Sequence, residues 1–303
     1  MTEAARSSVS TTPEVAGLNL GTGPVPQSGP DWEHRIRQGV LSLIDDEDGD
    51  GDAARLWEQV RVQVVPAGTD LGDVRVDLTG MVLEEHHRSL RLDSADLTDV
   101  PPVASAEPVT VHHLEVLAQP IHVEGIPVTA HVEVEDIPAG VAYDGRENLW
   151  ALMDPGAATA QSRGHGQVSV PIKEAVERAK DLVAAELASS GLTLTSLQVE
   201  VKTPSARRLH LDVTARVRKG LLSASAQIRL EAEVDSGMVA RIGEIQARSG
   251  NPLVSLVLVV VRKKLARYTD TTIDLNDRMP PGLRLVDLSM DAGKEFTAQV
   301  RFA

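Results

Sequence analysis

The stretch that decides the fold is Arg208–Val234, with the sequence RLHLDVTARVRKGLLSASAQIRLEAEV. Apolar and polar residues alternate along it, with a single break around Lys219 and Gly220. Because successive side chains of a strand point to opposite faces, this pattern predicts a hairpin with one apolar and one polar face. Its second strand, starting at Leu222, would be about 43 Å long at roughly 3.3 Å per residue, more than twice the ordinary ~17–20 Å.

Working outward from the hairpin, three amphipathic helices are expected. The first spans Asp31–Ile44 with Asp31 as its N-cap, and the second spans Ile172–Leu187 with Gly191 just beyond its end. The third, Leu253–Tyr268, is so rich in valine that a buried strand is a rival interpretation.

Period-two alternation predicts further strands on both sides of the hairpin. In the strand just before it, the apolar phase slips between Leu194 and Leu197, which predicts a β-bulge. The predicted strands lie within Val60–Leu78 and at Pro120–Asp136, Leu192–Thr203 and Phe296–Phe302.

Composition divides the chain. A Ser/Thr/Gly/Pro-rich tail at 1–30 is expected to be disordered. A first helix-plus-sheet unit at 31–154 is followed by a loop or linker at 155–166 and a second unit at 167–303. Each unit runs from a helix into strands, so two degenerate copies of one unit are a further hypothesis.

Charge is unevenly distributed between the two parts. Residues 1–164 contain 28 acids, ten arginines and no lysine, a charge of −18, whereas residues 165–303 carry +4. The acidic part disfavours nucleic acid as a partner, and the mildly basic part is the one suited to lipid headgroups. No cysteine is present, which excludes disulfides, thiolate metal sites and cysteine nucleophiles.

The predicted localisation is cytoplasmic. The tail lacks a basic start followed by an apolar run, and the longest apolar run, Leu253–Val261, is far shorter than the ~20 residues of a bilayer span. Peripheral contact with a membrane stays open, as does the oligomeric state.

Two sets of acidic residues are weak metal candidates. Asp46, Asp48 and Asp50 have the spacing of a calcium-binding EF-hand loop, but its twelfth position is Trp57 instead of a bidentate acid, so a solvated acidic turn is favoured. On the strand Pro120–Asp136, alternate positions carry two acids and a histidine. These are His131, Glu133 and Glu135, for which an ordinary solvent-exposed strand face is favoured over a metal site.

Catalytic signatures are absent from the sequence. It contains no Gly-x-Ser-x-Gly, no His-Glu-x-x-His and no glycine-rich phosphate loop. His165, between two glycines, is expected in a loop. The chain is therefore predicted not to be an enzyme and to need no cofactor.

The apolar face of the hairpin carries alanines, which leave space for a bulky group to lie against it. Candidate residues for lining such a space are Leu211, Val213, Ala224, Ala226, Ile228 and Val257. Basic residues near the hairpin turn and near the end of the third helix are headgroup candidates, with a solvated basic turn as the ordinary alternative. They are Arg216, Arg218, Lys219, Arg262 and Lys263.

Long alternating strands with amphipathic helices resemble the tubular lipid-binding (TULIP) superfamily, and more closely the LmeA-like phospholipid-binding family, a domain of unknown function. The resemblance covers roughly residues 33–303. It is carried by the strands of Val60–Leu78, by PIHVEGIPV at 120–128 followed by VEVED at 132–136, and by PPGLRL at 280–285.

The resemblance implies an α+β fold in which long curved antiparallel sheets wrap around amphipathic helices. It also implies non-enzymatic binding or carriage of lipid-like ligands in an apolar groove or tunnel. The alternative hypothesis is a structural or interaction protein whose apolar faces only pack on one another.

Overall fold

The computed structural model describes residues 16–43, 58–83, 100–101, 103–153, 162–189, 191–220, 222–243, 245–249, 271–279 and 283–303. In chain order the strands are β1 (Ala16–Thr22), β2 (Arg61–Ala67), β3 (Asp70–Asp77), β4 (Val82–Leu83), β5 (Val103–Val123), β6 (Ile126–Asp144), β7 (Asn148–Met153), β8 (Arg163–Pro171), β9 (Thr193–Ser205), β10 (Arg208–Lys219), β11 (Leu222–Val234), β12 (Val239–Ile242), β13 (Gln246–Ser249), β14 (Thr272–Asp274), β15 (Leu285–Ala292) and β16 (Glu295–Phe302). The α-helices within these ranges are α1 (Gly29–Leu43) and α2 (Ile172–Ser189), and a 3-10 turn spans Asn276–Arg278. The chain is therefore β-rich.

The first sheet has ten strands in the order β15-β16-β8-β6-β5-β3-β2, with β7 beside β6, β1 beside β7 and β4 beside β5. All pairings are antiparallel except β3–β5 and β4–β5, which are parallel. Its two central strands are very long: β5 has 21 residues and β6 has 19. They form a hairpin whose turn residues, Glu124 and Gly125, have φ values of 50° and 80°.

Because of this turn, the prediction that Pro120–Asp136 forms one element is wrong. Two successive residues with positive φ are the signature of a tight two-residue hairpin loop, and here the pair is Glu-Gly. The chain therefore reverses in the middle of the predicted strand.

The second sheet has six strands, in the order β14-β12-β11-β10-β9 with β13 beside β11. The predicted hairpin is confirmed as β10 and β11, whose register runs unbroken from Arg208 opposite Glu233 to Lys219 opposite Leu222. The predicted bulge is confirmed as well. Ser196 lies opposite Arg216 and Leu194 opposite Val217, so Thr195 is the extra residue of β9.

The sheets cut across the predicted division of the chain. Residues 16–22, assigned to the disordered tail, form β1, and residues 163–166, assigned to the linker, begin β8. Strands β8, β15 and β16 come from the predicted second unit, yet they extend the sheet that the first unit forms. Residues 1–15 of the tail lie outside the described residues.

Helix α1 begins earlier than predicted. Ser28 is the cap: its Oγ accepts a hydrogen bond from the backbone N–H of Asp31 at 3.3 Å and donates one to the Asp31 carboxylate at 2.7 Å. Asp31, the predicted cap, instead lies in the first turn, where a negative charge suits the helix dipole.

Helix α2 agrees closely with the prediction and ends before Gly191, which has φ +68°. The N–H of Leu192 donates to the Leu187 carbonyl at 3.0 Å, as in a helix terminated by a left-handed residue. The predicted helix at Leu253–Tyr268 lies outside the described residues.

Three apolar clusters form the core of the part of the chain that the structure describes. The first lies between α1 and the first sheet around Trp32, Val60 and Leu149, and the third joins the end of α2 to the hairpin through Leu187, Val217 and Ala226. The second bridges the two sheets, because it packs Val134, Ile137, Leu285 and Phe302 against Val234 and Met238.

Polar contacts reinforce the junction of the two sheets. The N–H of Met290 donates to the Ala206 carbonyl at 2.6 Å, and the Arg207 guanidinium binds the Asp287 carboxylate at 2.7 Å. The hydrogen bond from Arg207 holds the pKa of Asp287 below its ordinary value.

Candidate functional site

The apolar face of the second sheet is continuous across three strands. Cross-strand neighbours pair apolar with apolar, as in Leu211 opposite Leu230 and Val213 opposite Ile228. Strand β9 extends this surface, since Val201 lies opposite Leu211 and Val199 opposite Val213. The predicted segregation of apolar and polar side chains in the hairpin is therefore observed.

Burial along this face is uneven. Near the hairpin turn, Val217 and Ala226 are buried against Leu187, and at the opposite end Val234 and Met238 are buried in the cluster that joins the sheets. Between these ends the side chains are only half-buried, and none of them belongs to an apolar cluster formed by the described residues. We call this region the central strip, and it comprises Val199, Val201, Leu209, Leu211, Val213 and Leu230.

The predicted lining residues therefore fall into two groups. Leu211 and Val213 lie in the central strip, whereas Ala224, Ala226 and Ile228 pack in or against the cluster under α2. Ala226 is only 8% exposed, so protein side chains already cover it. Val257 lies outside the described residues.

The predicted headgroup residues of the hairpin lie at its tip. Arg216, Arg218 and Lys219 are exposed, and they precede a turn in which Gly220 has φ +57°. Leu222, opposite Lys219, is 60% exposed, so an apolar side chain lies beside Lys219 on one face of the tip, and Arg216 and Arg218 lie on the other face. Arg262 and Lys263 lie outside the described residues, as do the calcium candidates Asp46, Asp48 and Asp50.

A second polar arrangement lies on the first sheet. His131, Glu133 and Glu135 share one face of β6, but Glu135 is bound to Arg163, whose Nε donates to it at 2.7 Å. This bond raises the pKa of Arg163. Glu135 is therefore already paired with Arg163.

Other strands bring two different residues to His131 and Glu133. Glu115 of β5 lies opposite Glu133, and so does His165 of β8. We call Glu115, His131, Glu133 and His165 the Glu–His cluster. Glu115 was not among the predicted site residues and His165 was expected in a loop, because the register of strands that are distant in the chain has no local signal.

Among the described residues, Asp144 has the most strongly shifted pKa, and its role is structural. The Asp144 carboxylate accepts hydrogen bonds from the Asn148 side chain at 2.8 Å and from backbone N–H groups of Asn148 and Arg146. The Trp150 indole donates to it at 3.2 Å. These donors, the Asn148 side chain foremost, lower the pKa of Asp144 to about 2, and they fix the turn between β6 and β7.

Comparison with protein-family models, with curated proteins and with solved structures gives no match for this chain. Among the described residues, neither helix has the length and apolar character needed to cross a bilayer.

Proposed function

We propose that this protein binds lipid-like molecules on the central strip and catalyses no reaction on them. The observation that carries the proposal is the half-burial of this apolar strip between two clusters that are well packed. A surface of this kind gains free energy when an apolar ligand removes it from water.

The driving force would be the transfer of acyl chains out of water. Each buried methylene contributes roughly 0.8 kcal/mol, so a sixteen-carbon chain would gain on the order of 10 kcal/mol before the cost of ordering it. No charged contact is needed for this gain, which fits a strip made of valine and leucine side chains.

The hairpin tip supports a role in meeting an anionic headgroup or a lipid surface. Exposed Arg216, Arg218 and Lys219 lie at the same tip as the exposed Leu222, which is opposite Lys219. Cations attract anionic headgroups while an apolar side chain enters the interface, so the two kinds of group would act together.

The proposal includes a tubular lipid-binding architecture of the LmeA-like kind. Its support is the presence of strands 19 and 21 residues long, together with two amphipathic helices packed on the sheets. A curved wrap of the sheets around those helices is part of the proposal.

The test is extraction of the purified chain followed by lipid mass spectrometry, together with titration of a fluorescent acyl probe. Val213→Asp places a charge in the central strip, and Thr214→Asp places the same charge on the opposite face of the same strand. We expect Val213→Asp to weaken probe binding at least ten-fold and Thr214→Asp to change it less than two-fold.

Absence of bound lipid together with absence of saturable probe uptake would overturn the proposal. The alternative, a structural or interaction protein with a filled core, would then be favoured. Equal loss of binding in the two variants would also count against the central strip, because the charge would then be acting through overall stability.

A further inference from the structure

The Glu–His cluster is assembled by strand register. Glu115, Glu133 and His165 occupy directly opposed positions on the adjacent strands β5, β6 and β8, and His131 lies two residues before Glu133 on the same face. Opposed positions in an antiparallel pair bring Cβ atoms to about 4.5–5.5 Å, so four potential metal ligands converge on one patch. These residues are far apart in the sequence, and the pairing of the strands brings them together.

The distances among Glu115, His131 and Glu133 match those of a coordination shell, and His165 lies beside Glu133. His131 Nε2 lies 3.1 Å from a Glu115 carboxylate oxygen and 3.1 Å from a Glu133 oxygen, while His165 Nε2 lies 3.7 Å from the other Glu133 oxygen. Ligands at about 2.0–2.1 Å from a tetrahedral zinc ion are about 3.3 Å from each other. The Glu115, His131 and Glu133 ligand atoms all lie within 4.8 Å of one another.

Hydrogen bonding accounts for this arrangement only in part. His131 Nε2 faces two carboxylate oxygens at equal distances, but a ring nitrogen carries at most one hydrogen. One proton cannot make a full hydrogen bond to both oxygens, whereas one cation between the three side chains satisfies all of them. The His131 side chain is 34% exposed and Glu115 20%, so an ion can enter and yet be partly shielded from water.

The groups around the cluster leave one oxygen of Glu115 directed toward His131 and leave a path from solvent. Arg75 Nε lies 3.4 Å from Glu115 Oε2, which orients this carboxylate and leaves its other oxygen directed toward His131. On the far side, Arg301 is opposite His165 but binds Asp287 at 3.2 Å. A groove of about 390 Å³ adjoins the cluster and gives access from solvent; it is lined by His165, Gln167, Asp287, Ser289, Gln299 and Arg301.

We infer that Glu115, His131 and Glu133, with His165 beside Glu133, form a binding site for a divalent transition-metal ion of the zinc class. An imidazole nitrogen together with two carboxylates suits zinc and its first-row neighbours, whereas calcium and magnesium prefer oxygen ligands alone. The bound ion would tie β5 and β6 together. This metal-site inference is independent of the lipid-binding proposal, which concerns the second sheet.

The test uses the full chain, freed of any affinity tag and stripped with a chelator. Calorimetric titration with Zn²⁺ should give one equivalent bound, and Co²⁺ should give the visible absorption of a four-coordinate site. His131→Gln and Glu133→Gln should each weaken Zn²⁺ binding at least ten-fold. A hundred-fold molar excess of Ca²⁺ or Mg²⁺ should not displace the ion.

His113→Gln is the matched control. His113 lies on the same face of the same sheet and also pairs with a carboxylate, Asp73 at 3.0 Å, but it is outside the cluster. We expect its Zn²⁺ affinity to stay within two-fold of the unmodified chain. Urea midpoints of the metal-free variants check that each one folds.

Failure to bind one equivalent of Zn²⁺ would overturn the inference. Equal weakening by His113→Gln and His131→Gln would also overturn it, since binding would then reflect surface histidines in general. If His131→Gln does not fold, Glu133→Gln decides the question, because that change keeps the shape of the side chain.

Discussion

Gly164→Ala in β8 tests the packing of β8 against β6. A Cβ at residue 164 would overlap the backbone carbonyl oxygen of Glu133 and lie 2.9 Å from the Cα of Val134. Carbon atoms pack best at about 3.5–4.0 Å, so one strand would have to move by roughly 1 Å. Both obstacles are backbone atoms of a paired strand, which cannot rotate out of the way.

Gly166→Ala is the matched control, because it makes the same change two residues along the same strand. There the nearest atoms are the Val300 Cγ2 at 3.0 Å and the Val132 Cγ2 at 3.3 Å, which belong to side chains that can shift. Each substitution stabilises by about 0.4–1 kcal/mol through the unfolded chain, and this contribution cancels in the comparison. Overpacking costs typically about 1–3 kcal/mol, so we expect Gly164→Ala to be about 2 kcal/mol less stable than Gly166→Ala.

The assay is urea denaturation of both variants and the unmodified chain, followed by far-UV circular dichroism. Comparison of midpoints at constant slope gives the difference in the free energy of unfolding. Equal stabilities, or a gain in stability for Gly164→Ala, would refute the close approach of β8 to β6. The position of His165 beside Glu133 would then be in doubt as well.

Two further predictions concern the core and the response to acid. Leu149 is completely buried, so Leu149→Ala should lower the free energy of unfolding, measured by urea denaturation, by about 2–5 kcal/mol. Leu222 is exposed, so Leu222→Ala should change it by less than about 0.5 kcal/mol. Similar losses in the two variants would contradict the described core. The folded-state pKa of Asp144 is about 2, below the ordinary 3.8, so its stabilising contribution is complete above pH 3.8 and is lost as the pH falls toward 2. Asp144→Asn should therefore have a shallower decline of the urea midpoint with acid than the unmodified chain, and parallel declines would contradict the hydrogen-bonded turn.

Sequence reasoning succeeded where structure depends on local periodicity. The β10–β11 hairpin, helix α2 and the bulge at Thr195 were all predicted, because each follows from which neighbours along the chain share a face. The cap of α1 was misplaced by three residues. Ser28 and Asp31 are both good caps, and only the backbone geometry distinguishes them.

The errors concern pairing between distant segments. Strand β1 was assigned to a disordered tail because residues 1–30 are rich in Ser, Thr, Gly and Pro, yet it pairs with β7, more than a hundred residues later. The division into two units failed to anticipate that β15 and β16 join the first sheet through β8. No local pattern of side chains encodes these neighbours.

The sequence by itself therefore determined which side chains of a strand share a face, since that follows from the alternation of the backbone. It placed Leu211 with Val213, and His131 with Glu133, without any knowledge of their neighbours. Tertiary structure alone decided which strands that are distant in the chain lie side by side. That order brings Glu115 and His165 to His131 and leaves the central strip half-buried, because contacts between strands depend on the path of the whole chain.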